Sequence, residues 1–303
     1  METPVAFIIF NRPDTTAKVF EAIRQAKPSK LLVVADGARQ GKVGEAEKCA
    51  ATRAIIGGVD WECEVLTNYS DVNLGCKWRV SSGIDWVFEQ VEEAIILEDD
   101  CLPDPSFFPY CEELLEKYRH DTRIMSISGD NFQFGRKRTD DSYYFSRYSH
   151  NWGWATWRRA WIYNDVDMQL WDTICDGSWL EDILEENSAV RFWKTIFQDV
   201  HDRKIDTCWD YQWSFACWIQ SGLAIVPNLN LVSNIGFGVG ATHTTSELNE
   251  LANLPVESIS LPLKHPRFVV RDAEGDLYIQ KAFYNLKLPG RIKNFISKYV
   301  NVF

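Results

Sequence analysis

Short, unbroken apolar runs separated by helical patterns fill the first 130 residues and leave few folds open. Val5–Phe10 is one such run, and it stops at Asn11-Arg12-Pro13-Asp14. Thr16, Val19, Phe20 and Ile23 follow at the spacing of one helical face. Leu31–Ala35 is a second run, ending in Asp36-Gly37. The polar, Ala-rich stretch 42–56 predicts a helix, and Glu62–Thr67 alternates like a strand. Cys76, Val80, Ile84, Val87 and Val91 mark another helical face. Ala94–Leu97 then leads straight into Glu98-Asp99-Asp100. Asp104-Pro105 predicts a helix start, with Asp as N-cap and Pro at the first position. Phe107, Cys111, Leu114, Leu115 and Tyr118 form its apolar stripe.

Continuous strands alternating with amphipathic helices specify an α/β fold: a mostly parallel, Rossmann-like sheet flanked by helices on both faces. Ligands of such sheets bind beyond the carboxyl ends of the strands. Three of the four early strands end there in Asn11-Arg12, Asp36-Gly37 and Glu98-Asp99-Asp100. After residue 130 the pattern loosens. Arg136–Asp141 is a charged loop, Asn151–Tyr163 is Trp-rich, and Val190–Val200 and Trp209–Gln220 read as helices. Leu223–Val232 holds one or two strands, and the C-terminal portion is irregular. The thirteen Trp residues are expected to serve mainly as core.

Composition removes several function classes. A formal charge of −11 argues against nucleic-acid binding, which relies on a basic surface. No apolar stretch approaches the roughly 20 residues of a membrane span. The N-terminus has no basic segment before its apolar run and reads as a strand. Eight cysteines without a CxxC pair fit a cytoplasmic protein with mostly reduced thiols. Within Gly290–Val300, apolar Ile292, Phe295, Ile296, Tyr299 and Val300 share a helical face, and Lys287, Arg291, Lys293 and Lys298 supply positive charge. Such a helix could touch a membrane surface peripherally or dock on its own domain.

Five constellations could carry chemistry. The carboxylates of Glu98, Asp99 and Asp100 repel one another, and Mg²⁺ or Mn²⁺ would offset the charge with hard oxygen ligands. An acidic turn before the next helix would look the same. Arg12 suits a phosphate or a base, or is a surface residue before a helix. Asp36 suits a base or ribose, or is part of a simple turn. Asp210, among Cys208-Trp209 and Tyr211-Gln212-Trp213, suits a general base of raised pKa or an N-cap. The glycines of Gly236–Ala241 allow close approach to a ligand, and His243 could complete a metal site or be structural.

The order of these features resembles the GT-A nucleotide-sugar transferases. It is most similar to the animal N-acetylglucosaminyltransferase family that starts complex N-glycan branching. The matching stretches are Asn11-Arg12, Asp36, Glu98-Asp99-Asp100 followed by Pro105-Ser106-Phe107-Phe108, Trp152-Gly153-Trp154, Trp209-Asp210 and the loop ending in His243. The family's Trp-Asp-Asp-Trp is replaced here by Trp209-Asp210-Tyr211-Gln212-Trp213, which leaves Asp206 as an alternative base. The resemblance implies a GT-A domain over 1–245, with a donor half at 1–130 and an acceptor half at 131–245, and an extension over 246–303. It implies transfer of a sugar from a nucleotide-diphosphate donor, UDP favoured, to a hydroxyl of a glycan, lipid-linked or protein acceptor, with inversion. Asp210 would be the catalytic base, and Asp100 and His243 would hold Mn²⁺ or Mg²⁺. Asn11, Arg12, Asp36, Glu98, Asp99, Trp152, Gly153 and Trp154 would bind the donor. The rival readings are an inactive nucleotide- or carbohydrate-binding protein on the same scaffold and a sugar-phosphate nucleotidyltransferase. The second would want a Gly-rich loop after the first strand, where Asn11-Arg12-Pro13-Asp14 has no Gly.

Overall fold

The computed structural model describes residues 1–237 and 253–284. The expected alternation is present: β1 (Val5–Ile9), α1 (Pro13–Ala26), β2 (Lys30–Ala35), α2 (Glu45–Ala54), β3 (Glu64–Tyr69), α3 (Cys76–Gln90) and β4 (Glu93–Glu98). Then come β5 (Cys101–Pro103), α4 (Phe107–Tyr118), β6 (Ile124–Ser128), β7 (Tyr143–Ser146) and β8 (Trp154–Trp157). Three short helices follow, α5 (Arg158–Trp161), α6 (Trp171–Ile174) and α7 (Trp179–Ile183). The chain continues with α8 (Asn187–His201), α9 (Asp210–Ile219), β9 (Leu223–Pro227), β10 (Val232–Asn234) and α10 (Ala273–Tyr284).

Eight strands form one sheet in the order β3-β2-β1-β4-β8-β6-β9-β7. Six run the same way, while β7 and β8 are antiparallel to their neighbours. This is a mixed α/β, Rossmann-like architecture. The chain moves outward from β1 to β2 and β3, then returns to place β4 on the other side of β1. That reversal opens a crevice at the carboxyl ends of β1 and β4.

Successive side chains of each central strand feed opposite cores, as the two-residue period requires. Ala6, Ile8, Leu32, Val34, Ala94 and Ile96 pack under α3, α5, α8 and α9. Val5, Phe7, Ile9, Leu31, Val33, Ile95 and Leu97 pack under α1 and α4. Thr16, Val19, Phe20 and Ile23 are the buried face of α1, as their spacing predicts. The Trp residues behave mainly as core. Trp154, Trp157, Trp161, Trp171, Trp193, Trp209, Trp213 and Trp218 are each at most 5% exposed.

Some local expectations shift. The helix predicted to begin at Asp104-Pro105 starts at Phe107. Asp104 still caps the entry, because its Oδ1 accepts the Ser106 N–H at 2.9 Å and its carbonyl accepts the Phe107 N–H. The strand expected at Glu62–Thr67 lies two residues later, on the exposed edge of the sheet, where packing fixes its ends least. Residues 253–259 run beside β10 and the start of α4, and residues 264–284 pack over the opposite edge. Asp276 is 1% exposed and accepts from Ser146 Oγ and from Arg147, while Arg138 pairs with Asp272 at 2.9 Å. Covering the β7 edge in this way hides backbone groups that would otherwise invite pairing.

Gly129 follows β6 at a three-way squeeze. A Cβ there would meet Gly153 O, Phe107 Cε2 and Val232 Cγ2, each at 2.6 Å. Gly129→Ala should therefore destabilise the fold by about 2–3 kcal/mol, read as a lower urea midpoint at unchanged slope.

Candidate functional site

The carboxyl ends of β1, β2 and β4 open into a cleft of about 360 Å³. Arg12, Asp36, Glu98, Asp99, Asp100, Trp152, Asp206, Asp210 and Gly236 all line it. Residues predicted from stretches as far apart as Arg12 and Gly236 are thus brought to one place.

The ends of β1 and β4 are tied directly. Asp99 Oδ2 accepts the Phe10 N–H at 3.0 Å, and Arg12 Nη1 donates to Asp100 Oδ2 at 2.5 Å. Arg12 also faces Asp99 at 3.8 Å. β10 pairs with β5, and the Ile235 N–H reaches the Asp100 carbonyl at 2.8 Å. This brings Gly236 over the ion pair. A Cβ at 236 would fall 2.1 Å from Asp100 Oδ2 and 2.7 Å from Arg12 Nη1, so only glycine fits.

Charge in the cleft is unbalanced. Seven carboxylates (Asp36, Glu98, Asp99, Asp100, Asp130, Asp206 and Asp210) meet three guanidinium groups (Arg12, Arg39 and Arg79) among its described lining residues. Burial, then repulsion from Asp100, Asp99 and Asp210, pushes the Glu98 carboxyl up to about 8. Asp99 is raised to about 7 by burial and by Asp100, against the pull of Arg12. Among the described residues no three His, Cys, Asp or Glu side chains converge well enough to hold a metal ion by themselves. The donor set does fit a Mg²⁺ or Mn²⁺ shared with a ligand's phosphates, which needs only one or two protein carboxylates. Arg12 occupies Asp100 Oδ2, and the contact on Oδ1 is the Cys101 thiol at 3.6 Å, a weak donor that a metal could displace.

Asp36 lines the cleft, but its carboxylate is already engaged. Oδ1 accepts the N–H groups of Gly37 and Leu74 at 2.9 Å. Oδ2 accepts Asn73 Nδ2 at 2.9 Å and the Gly75 N–H at 3.0 Å. Four donors fill a carboxylate, so Asp36 shapes the 70–75 loop and the start of α3. Asn11 turns away from the cleft and donates to Glu45 Oε1 at 3.0 Å. Glu45 also clamps Arg39, whose guanidinium lies 5.7 Å over the Phe10 ring at the cleft wall.

Trp154 and Gly153 do not reach the cleft. Trp154, the first residue of β8, packs in the core against Trp209, Trp213 and Trp161, at 1% exposure. Gly153 packs on Val232 and Leu97. Of the Trp152-Gly153-Trp154 stretch only Trp152 lines the site, held edge-on by Phe132 and Phe237 at 5.1 and 5.7 Å. His243 and the glycines beyond Phe237 lie outside the described residues, as does the basic amphipathic stretch 290–300.

The two candidate bases differ. Asp206 is paired with the buried Lys77 at 2.9 Å. Asp210 is the first residue of α9, not the residue before it, and its Oδ1 has no partner among the described residues. Burial lifts its carboxyl to about 7, outweighing the N–H groups of Asp210 and Tyr211 that favour the anion. Asp130, Asn151, Arg39 and Arg79 also line the cleft and are absent from the sequence-based set. Asp130 follows the buried run Ile124–Ser128 through Gly129, the same strand-to-acid pattern as Asp36.

A carboxyl whose pKa rises from 3.8 to about 7 on folding keeps its proton in the folded chain while the unfolded chain has lost it. Its presence therefore costs stability increasingly as pH rises between those values, and by a constant amount above them. Relative to the unaltered protein, Asp210→Asn should gain on the order of 2 kcal/mol in folding stability between pH 5 and pH 8. Urea unfolding at both pH values measures this.

No known protein family matches this sequence, and no curated protein does. Three solved structures are similar over part of their length. One is a UDP-glucose pyrophosphorylase complexed with UDP-glucose, at 13% identity and a TM-score of 0.28, covering 48% of this chain and 62% of that one. Another is 4-diphosphocytidyl-2C-methyl-D-erythritolsynthase from Anaerococcus prevotii, at 8% identity and 0.33, covering 61% and 85%. The third is described as a nucleotide-diphospho-sugar transferase from Desulfovibrio desulfuricans, at 11% identity and 0.31, covering 53% and 65%. The chain spans less than two thirds of the first and third of these. Overlaps this partial say nothing of activity, and the Rossmann-like architecture is read from the strand order itself.

Proposed function

We propose that this chain is a metal-dependent glycosyltransferase of the GT-A type, moving a sugar from a nucleoside-diphosphate donor, UDP favoured, to an acceptor hydroxyl. The observation that carries the reading is the meeting of Arg12, the Glu98-Asp99-Asp100 triplet and Asp210, whose Oδ1 has no partner among the described residues, in one cleft at the β1/β4 crevice. The order of the sequence motifs supports it.

In this reading the nucleotide lies over β1, β2 and β4. Arg12 binds the diphosphate, and the Asp36-shaped loop with Arg39 bounds the nucleoside. Asp100, with Asp99 beside it, would hold a Mn²⁺ or Mg²⁺ shared with the phosphates. When bound, that ion supplies Lewis-acid stabilisation of the departing diphosphate. Glu98 and Trp152 border the sugar. Asp210 takes the proton from the acceptor hydroxyl, whose oxygen forms a bond to the anomeric carbon as the bond from that carbon to the diphosphate breaks. The products are the glycosylated acceptor and the free nucleoside diphosphate, with inversion. A carboxyl lifted to about 7 suits this task, because a base is most effective with a pKa near the working pH. Asp206 is the weaker candidate, since Lys77 already satisfies it.

Calorimetry with UDP, GDP, CMP and dTDP, with and without Mn²⁺, tests the donor site. One nucleotide should bind in a Mn²⁺-dependent way, and Asp100→Ala should weaken it at least 100-fold. Folded protein that binds none of them would overturn the reading and bring forward an inactive scaffold. Asp210→Asn should keep donor binding while cutting turnover by about 10²–10⁴. In the unaltered enzyme, turnover should rise with pH and level off above about 7, as Asp210 loses its proton. Pyrophosphate release from a nucleoside triphosphate and a sugar phosphate, in place of sugar transfer, would instead identify a nucleotidyltransferase.

A further inference from the structure

Asp130 is unexplained by the roles assigned above. It is 1% exposed and lines the cleft, and neither side-chain oxygen makes a well-formed hydrogen bond among the described residues; the nearby N–H groups of Asp130 and Trp152 favour its anion, but burial outweighs them and holds the carboxyl well above its usual range. Buried polar atoms are almost always paired, and a buried carboxylate with no well-formed hydrogen bond on either oxygen costs stability. A residue kept at such a cost points to a partner that arrives from outside.

The surroundings indicate which kind. The Gly129 N–H donates to the Gly153 carbonyl at 2.7 Å, fixing the loops after β6 and before β8 against each other. This sets Asp130 and Trp152 on one wall. Asn151, also lining the cleft, has an unpartnered and buried Oδ1. Trp152 is half-buried and braced by Phe132 and Phe237. Asp130 lies near enough to Cys101, the residue after the triplet, for its charge to act on that thiol. A carboxylate and an amide oxygen accept from adjacent hydroxyls, and an aromatic ring packs on carbon-bound hydrogens. A pyranose offers both.

We propose that Asp130, with Asn151 and Trp152, is the specificity-determining subsite for the sugar ring of the donor, accepting hydrogen bonds from its hydroxyls. The proposal rests on the nucleotide-sugar reading of the cleft. The structural rival is a buried water shared with the Tyr110 hydroxyl, which is also unpartnered.

Calorimetry with UDP, UDP-glucose, UDP-galactose and UDP-N-acetylglucosamine in Mn²⁺, on the full chain and on Asp130→Asn, separates these. Asp130→Asn should weaken the best-bound sugar nucleotide about 10–100-fold, leave UDP within twofold, and keep or raise the thermal midpoint. Equal losses for UDP and its sugar conjugate, or no loss in either, would overturn the assignment while leaving the nucleotide site intact. A lowered thermal midpoint with unchanged binding would establish the buried water instead. If the unaltered protein binds no sugar nucleotide, the underlying reading fails, and the assignment fails with it. Asn151→Ala, expected to show the same sugar-selective loss, decides the matter should Asp130→Asn fail to fold.

Discussion

The site depends on the adjacency of β1 and β4. Parallel pairing sets Val5–Ile8 against Ile95–Glu98, so the residues just beyond each strand emerge side by side. The Phe10 N–H closes on Asp99, and Arg12 closes on Asp100. Without that pairing, three consecutive carboxylates would have no cation near them. With it, one oxygen of Asp100 is paired, while burial and mutual repulsion hold the carboxyls of Glu98 and Asp99 up at about 8 and about 7. The crevice is thus both the topological reversal of the sheet and the place where its charge is least balanced.

The imbalance has a direction. On the side of α2 and α3 the acids are satisfied, Asp36 by four donors and Glu45 by Arg39 and Asn11, and Arg79 reaches the Ala35 carbonyl and Asn68. On the side of β6, β8 and α9 they are not. Asp130, Asp210 and Asn151 each carry a buried oxygen there with no hydrogen-bond partner among the described residues. One wall is finished by the protein, and the other is left for something else to complete. Buried unpaired acids weaken a fold, and such costs gather where ligands bind.

Much of the first half was legible because two signals agreed there. Val5–Phe10, Leu31–Ala35 and Ala94–Leu97 are continuous because helices cover both faces, and each breaks sharply at a polar end. The second half hid its strands. Tyr143–Ser146 and Trp154–Trp157 are short, antiparallel and aromatic, and their burial comes from tertiary packing rather than from any local period. The resemblance assigned Trp152-Gly153-Trp154 to the donor site as one unit, whereas only Trp152 lines the cleft and Trp154 packs in the core. Asp130 escaped for a related reason, since the run before it sits beyond the regular alternation. Asp36 was found as a position but not as a role, because its four donors come from a loop 37 to 39 residues further on and from its own turn.

That staple at Asp36 makes the position unusually intolerant of its nearest chemical mimic. An asparagine has the same size and shape, yet one of its two ends must be an NH₂ group. Each carboxylate oxygen it replaces faces a backbone N–H: Gly37 and Leu74 at one end, Gly75 at the other. Whichever way the amide is turned, it sets a donor against a donor. Removing the side chain would leave the three N–H groups and the Asn73 amide without their acceptor, whereas an asparagine keeps the contacts at its carbonyl end and opposes those at the other. The contour of the 70–75 loop is thus held by the two equivalent oxygens of one carboxylate.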